Sequence, residues 1–188
     1  MRAFVVRPFG TKHEINFEEV HKYLIAPALA ALDIQGNTTE GFLEAGIIRT
    51  DMLQQLLVAD IVVADISIHN ANVFYALGIR HALQPMRTFM LLAKSKKDPK
   101  ERTAEDEVPF DLKTDRYLEY DSDKPAEKLE LFIDGLRQTL ASEKSDSPVF
   151  RIWRARTARV FCRCRRASAT TWNWRSGPEA WACWGCWP

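Results

Sequence analysis

The run Ile61-Val62-Val63-Ala64 constrains this chain more than any other feature. Its apolar residues, mostly β-branched and with no polar alternation, predict a strand covered on both faces. That is the mark of a parallel sheet flanked by helices. Polar residues follow at once: Asp65, Ser67, His69, Asn70 and Asn72, before Val73-Phe74-Tyr75-Ala76-Leu77-Gly78 opens a helix. In parallel sheets the carboxyl ends of strands and the helix N-termini after them line the ligand crevice. Free N–H groups at such a helix start suit anionic or polyhydroxylated ligands.

The rest of residues 1–143 repeats this alternation. Phe4-Val5-Val6 predicts a buried first strand, turning at Arg7-Pro8-Phe9-Gly10. Phe17, Val20, Leu24, Ala28 and Leu32 recur at helical spacing, with Pro27 as a predicted kink. Residues 34–37 give a weak second strand, with Gly36-Asn37 as turn chemistry. Residues 47–58 are amphipathic, residues 72–83 predict the next helix, and Asn70 or Asn72 is the natural cap of the latter. Thr88 to Ala93 predicts the fourth strand and Arg116 to Tyr120 an alternating edge strand. Between them, Lys94 to Glu107 is a long polar connection. Leu129, Phe132, Ile133, Leu136 and Leu140 complete a closing helix. The expected fold is α/β: a doubly wound, five-stranded parallel sheet with helices on both faces.

Composition divides the chain near Phe150. All four cysteines and all six tryptophans lie beyond it, with eight arginines and a single acidic residue, Glu179. Residues 1–150 hold 18 basic and 24 acidic side chains, so the near-neutral total joins two opposite halves. Cys162-x-Cys164 with Cys183-x-x-Cys186 has the ligand types of a zinc knuckle, although C-x-C is an uncommon first pair. Arginine interleaved with tryptophan has the chemistry of a nucleic-acid surface. Neither reading accounts for the missing lysine, aspartate and periodicity, and out-of-frame translation of a GC-rich gene accounts for all three. Residues 151–188 are therefore expected to be an unstructured tail, with 144–150 as linker.

No apolar run approaches the roughly 20 residues of a membrane span, and the start lacks a secretory signal. The expectation is a cytoplasmic protein with no membrane contact. The acidic body gives no reason to expect nucleic acid. Residues 1–150 contain no cysteine and no paired histidines at ligand spacing, so neither a metal nor another cofactor is expected.

Four ordered motifs carry a resemblance: Phe4-Val5-Val6-Arg7-Pro8-Phe9-Gly10, Ala59-Asp60-Ile61-Val62-Val63-Ala64-Asp65, Asn70-Ala71-Asn72-Val73-Phe74-Tyr75-Ala76-Leu77-Gly78 and Val108-Pro109-Phe110-Asp111-Leu112. Over residues 3–143 the chain resembles the nucleoside 2-deoxyribosyltransferase-like family, a relative of TIR domains. The resemblance implies a flavodoxin-like sheet in the order 2-1-3-4-5. It also implies an activity class, cleavage of the N-glycosidic bond of nucleosides or nucleotides. Relatives carry such a domain ahead of helical repeats, which implies the sensing or signalling head of a longer protein.

The family pattern N-x-x-Y-E-L-G places a nucleophilic glutamate where this chain has Ala76. Breaking a C1′–N bond builds positive charge on the sugar, and a carboxylate stabilises it and traps it as a glycosyl ester. A methyl group does neither. The expectation is a domain binding a nucleoside, a nucleotide or an NAD-like molecule with weak or no turnover. One alternative is an active N-glycosidase or deoxyribosyltransferase using Glu40, Glu44, Asp51 or Asp65. Another is a TIR-like assembly module forming homo-oligomers.

The remaining candidates each have a ligand role and a structural one. Asp65 accepts from a ribose hydroxyl or base edge, or caps its loop. Arg7, with Phe9 and Gly10 beside it, meets a phosphate or carboxylate, or sits in an exposed turn. Ser67 and Asn70 share the crevice edge. His69 protonates a leaving base, or is solvated. Asn72 orients ligand or caps its helix; Tyr75 stacks on a base or packs on the sheet. Gly78 is expected to allow close helix packing, and Arg80 and His81 to be surface groups.

Overall fold

The computed structural model describes residues 1–38, 48–96 and 108–153. Its main sheet has strands β1 (Arg2–Val6), β4 (Gln35–Thr38), β5 (Ile61–Asp65), β6 (Thr88–Ala93) and β7 (Tyr117–Tyr120). They lie in the order β4-β1-β5-β6-β7, and every pairing is parallel. This is the flavodoxin-like order 2-1-3-4-5, with the switch point between β1 and β5.

Two apolar layers hold the sheet. Alternate residues of the central strands face opposite ways: Ala3, Val5, Ile61 and Val63 join one cluster, and Phe4, Val6, Val62 and Ala64 the other. Helices α1 (Phe17–Val20), α2 (Ala26–Ala31) and α5 (Leu129–Ala141) supply Phe17, Val20, Leu29, Phe132 and Leu136 to the first. Helices α3 (Ile48–Val58) and α4 (Ala71–Leu83) supply Leu56, Val73, Ala76 and Leu77 to the second. Every β5 residue is buried, as its unbroken apolar run requires. At Gly135 a Cβ would stand 2.8 Å from the Phe89 ring, so α5 needs glycine to lie this close to β6.

Pro27 does its work one turn early. The helix from Phe17 passes through a π turn, His21–Ile25, in which Ala26 N–H bonds to His21 O, and α2 resumes with proline in its first turn. The wider turn accommodates a residue that has no N–H to donate.

Several expectations are corrected. Gly36 and Asn37 form no turn; they lie within edge strand β4. Residues 11–16 form a small hairpin, β2 (Thr11–Lys12) with β3 (Ile15–Asn16), turning through His13 and Glu14 at φ 49° and 64°. Gly78 is exposed, and a Cβ there would meet nothing within 4 Å, so it is not a packing glycine. Arg80 and His81 are buried. The Arg80 guanidinium donates to the carbonyls of Leu56, Ala59, Met86 and Arg87, which close the amino edge of the sheet.

Residues 144–150 do not behave as a linker. Ser147 is fully buried and donates to His81 O at 2.6 Å; Ser145 donates to Pro85 O at 2.7 Å. The Asp146 carboxylate accepts from Thr88 N–H at 2.8 Å, and residues 148–153 are helical. The compact unit runs from Met1 to Arg154. Composition shows only polarity here, and polarity is equally what edge-sealing side chains require. Among the described residues, no helix is long and apolar enough to cross a membrane. Glu40, Glu44, residues 97–107 of the polar connection and the tail from residue 154, with all its cysteines, lie outside the described residues.

Candidate functional site

The carboxyl edge of the sheet carries two hydrogen-bonded clusters. The first centres on Asp65, the last residue of β5, which is fully buried. Its Oδ1 accepts from Ser67 N–H at 3.0 Å and from Ser67 Oγ at 2.5 Å, while its Oδ2 accepts from the Tyr120 hydroxyl at 2.8 Å. Ser67 Oγ in turn accepts from Ala93 N–H at 2.6 Å. Ser67 and Tyr120 thus each give their single hydroxyl proton to one carboxylate. The loop after β5 is tied to the ends of β6 and β7.

The electrostatics follow from that geometry. Burial pushes the Asp65 carboxyl up, opposed by the hydrogen bonds of Ser67 and Tyr120 and by the charge of Arg7. Burial and the neighbouring Asp65 together push the Tyr120 phenol up, so it stays a donor at neutral pH. As folded, Asp65 braces its own loop; a ligand hydroxyl reaching it has to replace one of these donors.

The second cluster lies at the end of β1. Val6 pairs with Ala64, so in this parallel ladder Arg7 follows beside Asp65. Arg7 is buried, and its guanidinium makes a two-pronged pair with Glu18, Nη1 to Oε1 at 2.8 Å and Nη2 to Oε2 at 2.6 Å. It also donates to Pro8 O at 3.1 Å. Gly10 N–H reaches Glu18 Oε1 at 3.3 Å from a residue at φ +67°, a conformation glycine adopts without strain. The hydrogen bond from Arg7 is the main cause holding the Glu18 carboxyl below its usual range. Arg7 is therefore not the exposed turn residue of the structural alternative. Phe9 is half exposed, with the Arg7 guanidinium 5.6 Å from its ring centre.

Helix α4 rises from the same edge. Asn70 is its cap, accepting from Asn72 N–H at 3.0 Å and Val73 N–H at 3.3 Å. Asn72 is exposed on the first turn and is not the cap. His69 is exposed and stands edge-on to Phe74, ring centres 5.7 Å apart. Tyr75 is 55% exposed, so it does not pack on the sheet. Ala76 is fully buried against the second apolar layer, beside Ala64 and Val73. Helical side chains lean toward the helix N-terminus, so a longer residue at 76 points along the sheet toward the carboxyl edge.

The structure thus brings together Arg7, Phe9 and Gly10 at one strand end and Asp65, Ser67, His69 and Asn70 at the next. Two partners were not legible as site residues. Tyr120 ends an edge strand, and a buried phenol must find a hydrogen-bond partner, which is the signal that points to it. Glu18 follows Asn16, which accepts from its N–H at 3.1 Å and caps α1; only the fold sets it opposite Arg7. Asp51, an alternative nucleophile, lies in the first turn of α3, half-buried.

No protein-family model and no curated protein matches this chain. Among solved structures, it is similar to a 2-deoxyribosyltransferase from the psychrotolerant bacterium Bacillus psychrosaccharolyticus. The two are 14% identical with a TM-score of 0.41, over 71% of this chain and 96% of that one.

Proposed function

We propose that residues 1–143, sealed at the amino edge by 144–153, form a nucleoside- or nucleotide-binding domain of the deoxyribosyltransferase-like kind, with the nucleophile's place taken by Ala76. The observation that carries this reading is the position of Ala76. It is wholly buried in the second turn of a helix that starts at the carboxyl edge of the sheet, in the slot where the resembled pattern has glutamate. In that pattern, a carboxylate oxygen attacks C1′ as the C–N electron pair passes to the base, which is then protonated. Here the methyl group has no electron pair to give, and losing such a nucleophile lowers rates by several orders of magnitude.

Two carboxylates at this edge are already engaged, Asp65 by Ser67 and Tyr120 and Glu18 by Arg7. Misplacement of a substitute by about 1 Å is expensive for attack on carbon. Binding without turnover suits a sensing head, with Tyr75 and Phe9 as exposed rings for a base and His69 on the loop that leads into the same helix as Tyr75. The test is a melting-temperature screen of ribonucleosides, deoxyribonucleosides, their phosphates and NAD. At least one is expected to raise the melting point without being consumed; no shift with any of them would overturn the reading.

A further inference from the structure

Arg7 and Gly10 form a receptor that already holds an anion, and the anion is the chain's own. Two guanidinium nitrogens and one backbone N–H converge on the Glu18 carboxylate. The two partners differ sharply in exposure: the Arg7 side chain is 2% exposed and that of Glu18 is 48%. The receptor is therefore fixed in the fold, whereas its occupant is a surface side chain able to swing into water. A buried guanidinium needs an anionic partner, and its planar fork fits phosphoryl oxygens as well as carboxylate oxygens. The register of β1 on β5 puts this fork beside Asp65, at the sheet's switch point.

We propose that Glu18 is an internal stand-in for a ligand's phosphoryl group: when Glu18 swings out, Arg7 and Gly10 take the phosphomonoester of a nucleotide, so the domain selects nucleoside phosphates over nucleosides and Glu18 restrains their binding. The base and sugar part of this statement rests on the function proposed above; the anion receptor does not. A phosphate dianion carries more charge and more acceptors than the carboxylate it displaces, and Glu18 regains full hydration outside.

Calorimetry decides it, with three probes: inorganic phosphate, a nucleoside, and that nucleoside's 5′-monophosphate. Each is titrated into the full chain and into Glu18→Gln and Glu18→Ala. Phosphate and the monophosphate are expected to bind about tenfold more tightly once the competing charge is gone, with the nucleoside unchanged. Equal or weaker binding of both anions in the variants overturns the proposal. Tighter phosphate, with no binding of the nucleoside and no preference for its monophosphate over inorganic phosphate, upholds the receptor and overturns the nucleoside function. Nucleoside and monophosphate binding alike, in all three proteins, does the reverse. Should neither variant fold, the unmodified chain still decides: added phosphate must shift the Gly10 amide resonance, and an unmoved Gly10 at saturating phosphate refutes the receptor.

Discussion

The two edges of the sheet bury charge in opposite ways. At the amino edge, the two terminal nitrogens of Arg80 donate to four backbone carbonyls, and Ser145, Asp146 and Ser147 each bond to a backbone group. Burial lowers the Arg80 guanidinium to about 10, which leaves it charged at neutral pH, and keeps the His81 imidazole neutral. At the carboxyl edge, side chains bond mainly to side chains, Arg7 to Glu18 and Asp65 to Ser67 and Tyr120. A backbone carbonyl cannot leave, so the first arrangement seals a fold. A side-chain partner can rotate away or be replaced, so the second can exchange its partners for a ligand.

That contrast breaks most visibly at Arg80. Arg80→Met is expected to cost on the order of 3–5 kcal/mol in chemical denaturation, because several buried carbonyls lose their donor together. Ligand-induced stabilisation of the remaining folded protein should persist. A loss under about 1 kcal/mol would mean those carbonyls find water, and that the edge is not sealed.

Tyr120→Phe tests the other edge and should cost about 1–3 kcal/mol by stranding Asp65 Oδ2. It also has a pH signature. The folded pKa of Asp65 lies above the ordinary carboxylate value of 3.8, so the folded state binds its proton more tightly than the unfolded chain. Its contribution is fully present below 3.8 and is lost as pH rises through the folded pKa. Removing the phenol donor raises that pKa further, so Tyr120→Phe should lose more stability than the parent between acid and neutral pH. Identical pH profiles would show that Tyr120 does not govern the Asp65 proton.

Asn70→Ala sharpens the comparison with a smaller effect. It uncaps Asn72 and Val73 and is expected to cost about 1 kcal/mol, while Asn70→Asp keeps the acceptor and should be nearly neutral. Thermal unfolding distinguishes the pair.

The sheet was legible because buried parallel strands are written as unbroken apolar runs. Ile61-Val62-Val63-Ala64 and Thr88 to Ala93 need no partner's identity to be recognised. The two strand ends were legible from those runs, and the helix start was legible to within Asn70 and Asn72, of which the structure makes Asn70 the cap. The amino edge was not: Arg80 reads as a surface group further along its helix, and only the three-dimensional meeting of residues 56–59 with 86–87 buries it. The hairpin at His13 and Glu14 lacks the Asn-Gly or Asp-Gly that announces a turn with both φ positive. Within the candidate site, Arg7 and Asp65 were visible as strand-end polar residues. Glu18 and Tyr120 were not, because a partner more than ten residues away leaves no periodic trace.

The most direct measurement of the central claim is nucleobase or nicotinamide release by the full chain beside its Ala76→Glu variant. Each is tested against nucleosides, their phosphates and NAD. Binding without release by the unmodified protein, with release appearing after the substitution, is the predicted result. Release by the unmodified protein at a rate the substitution does not raise would contradict it, because another carboxylate would then be carrying the reaction.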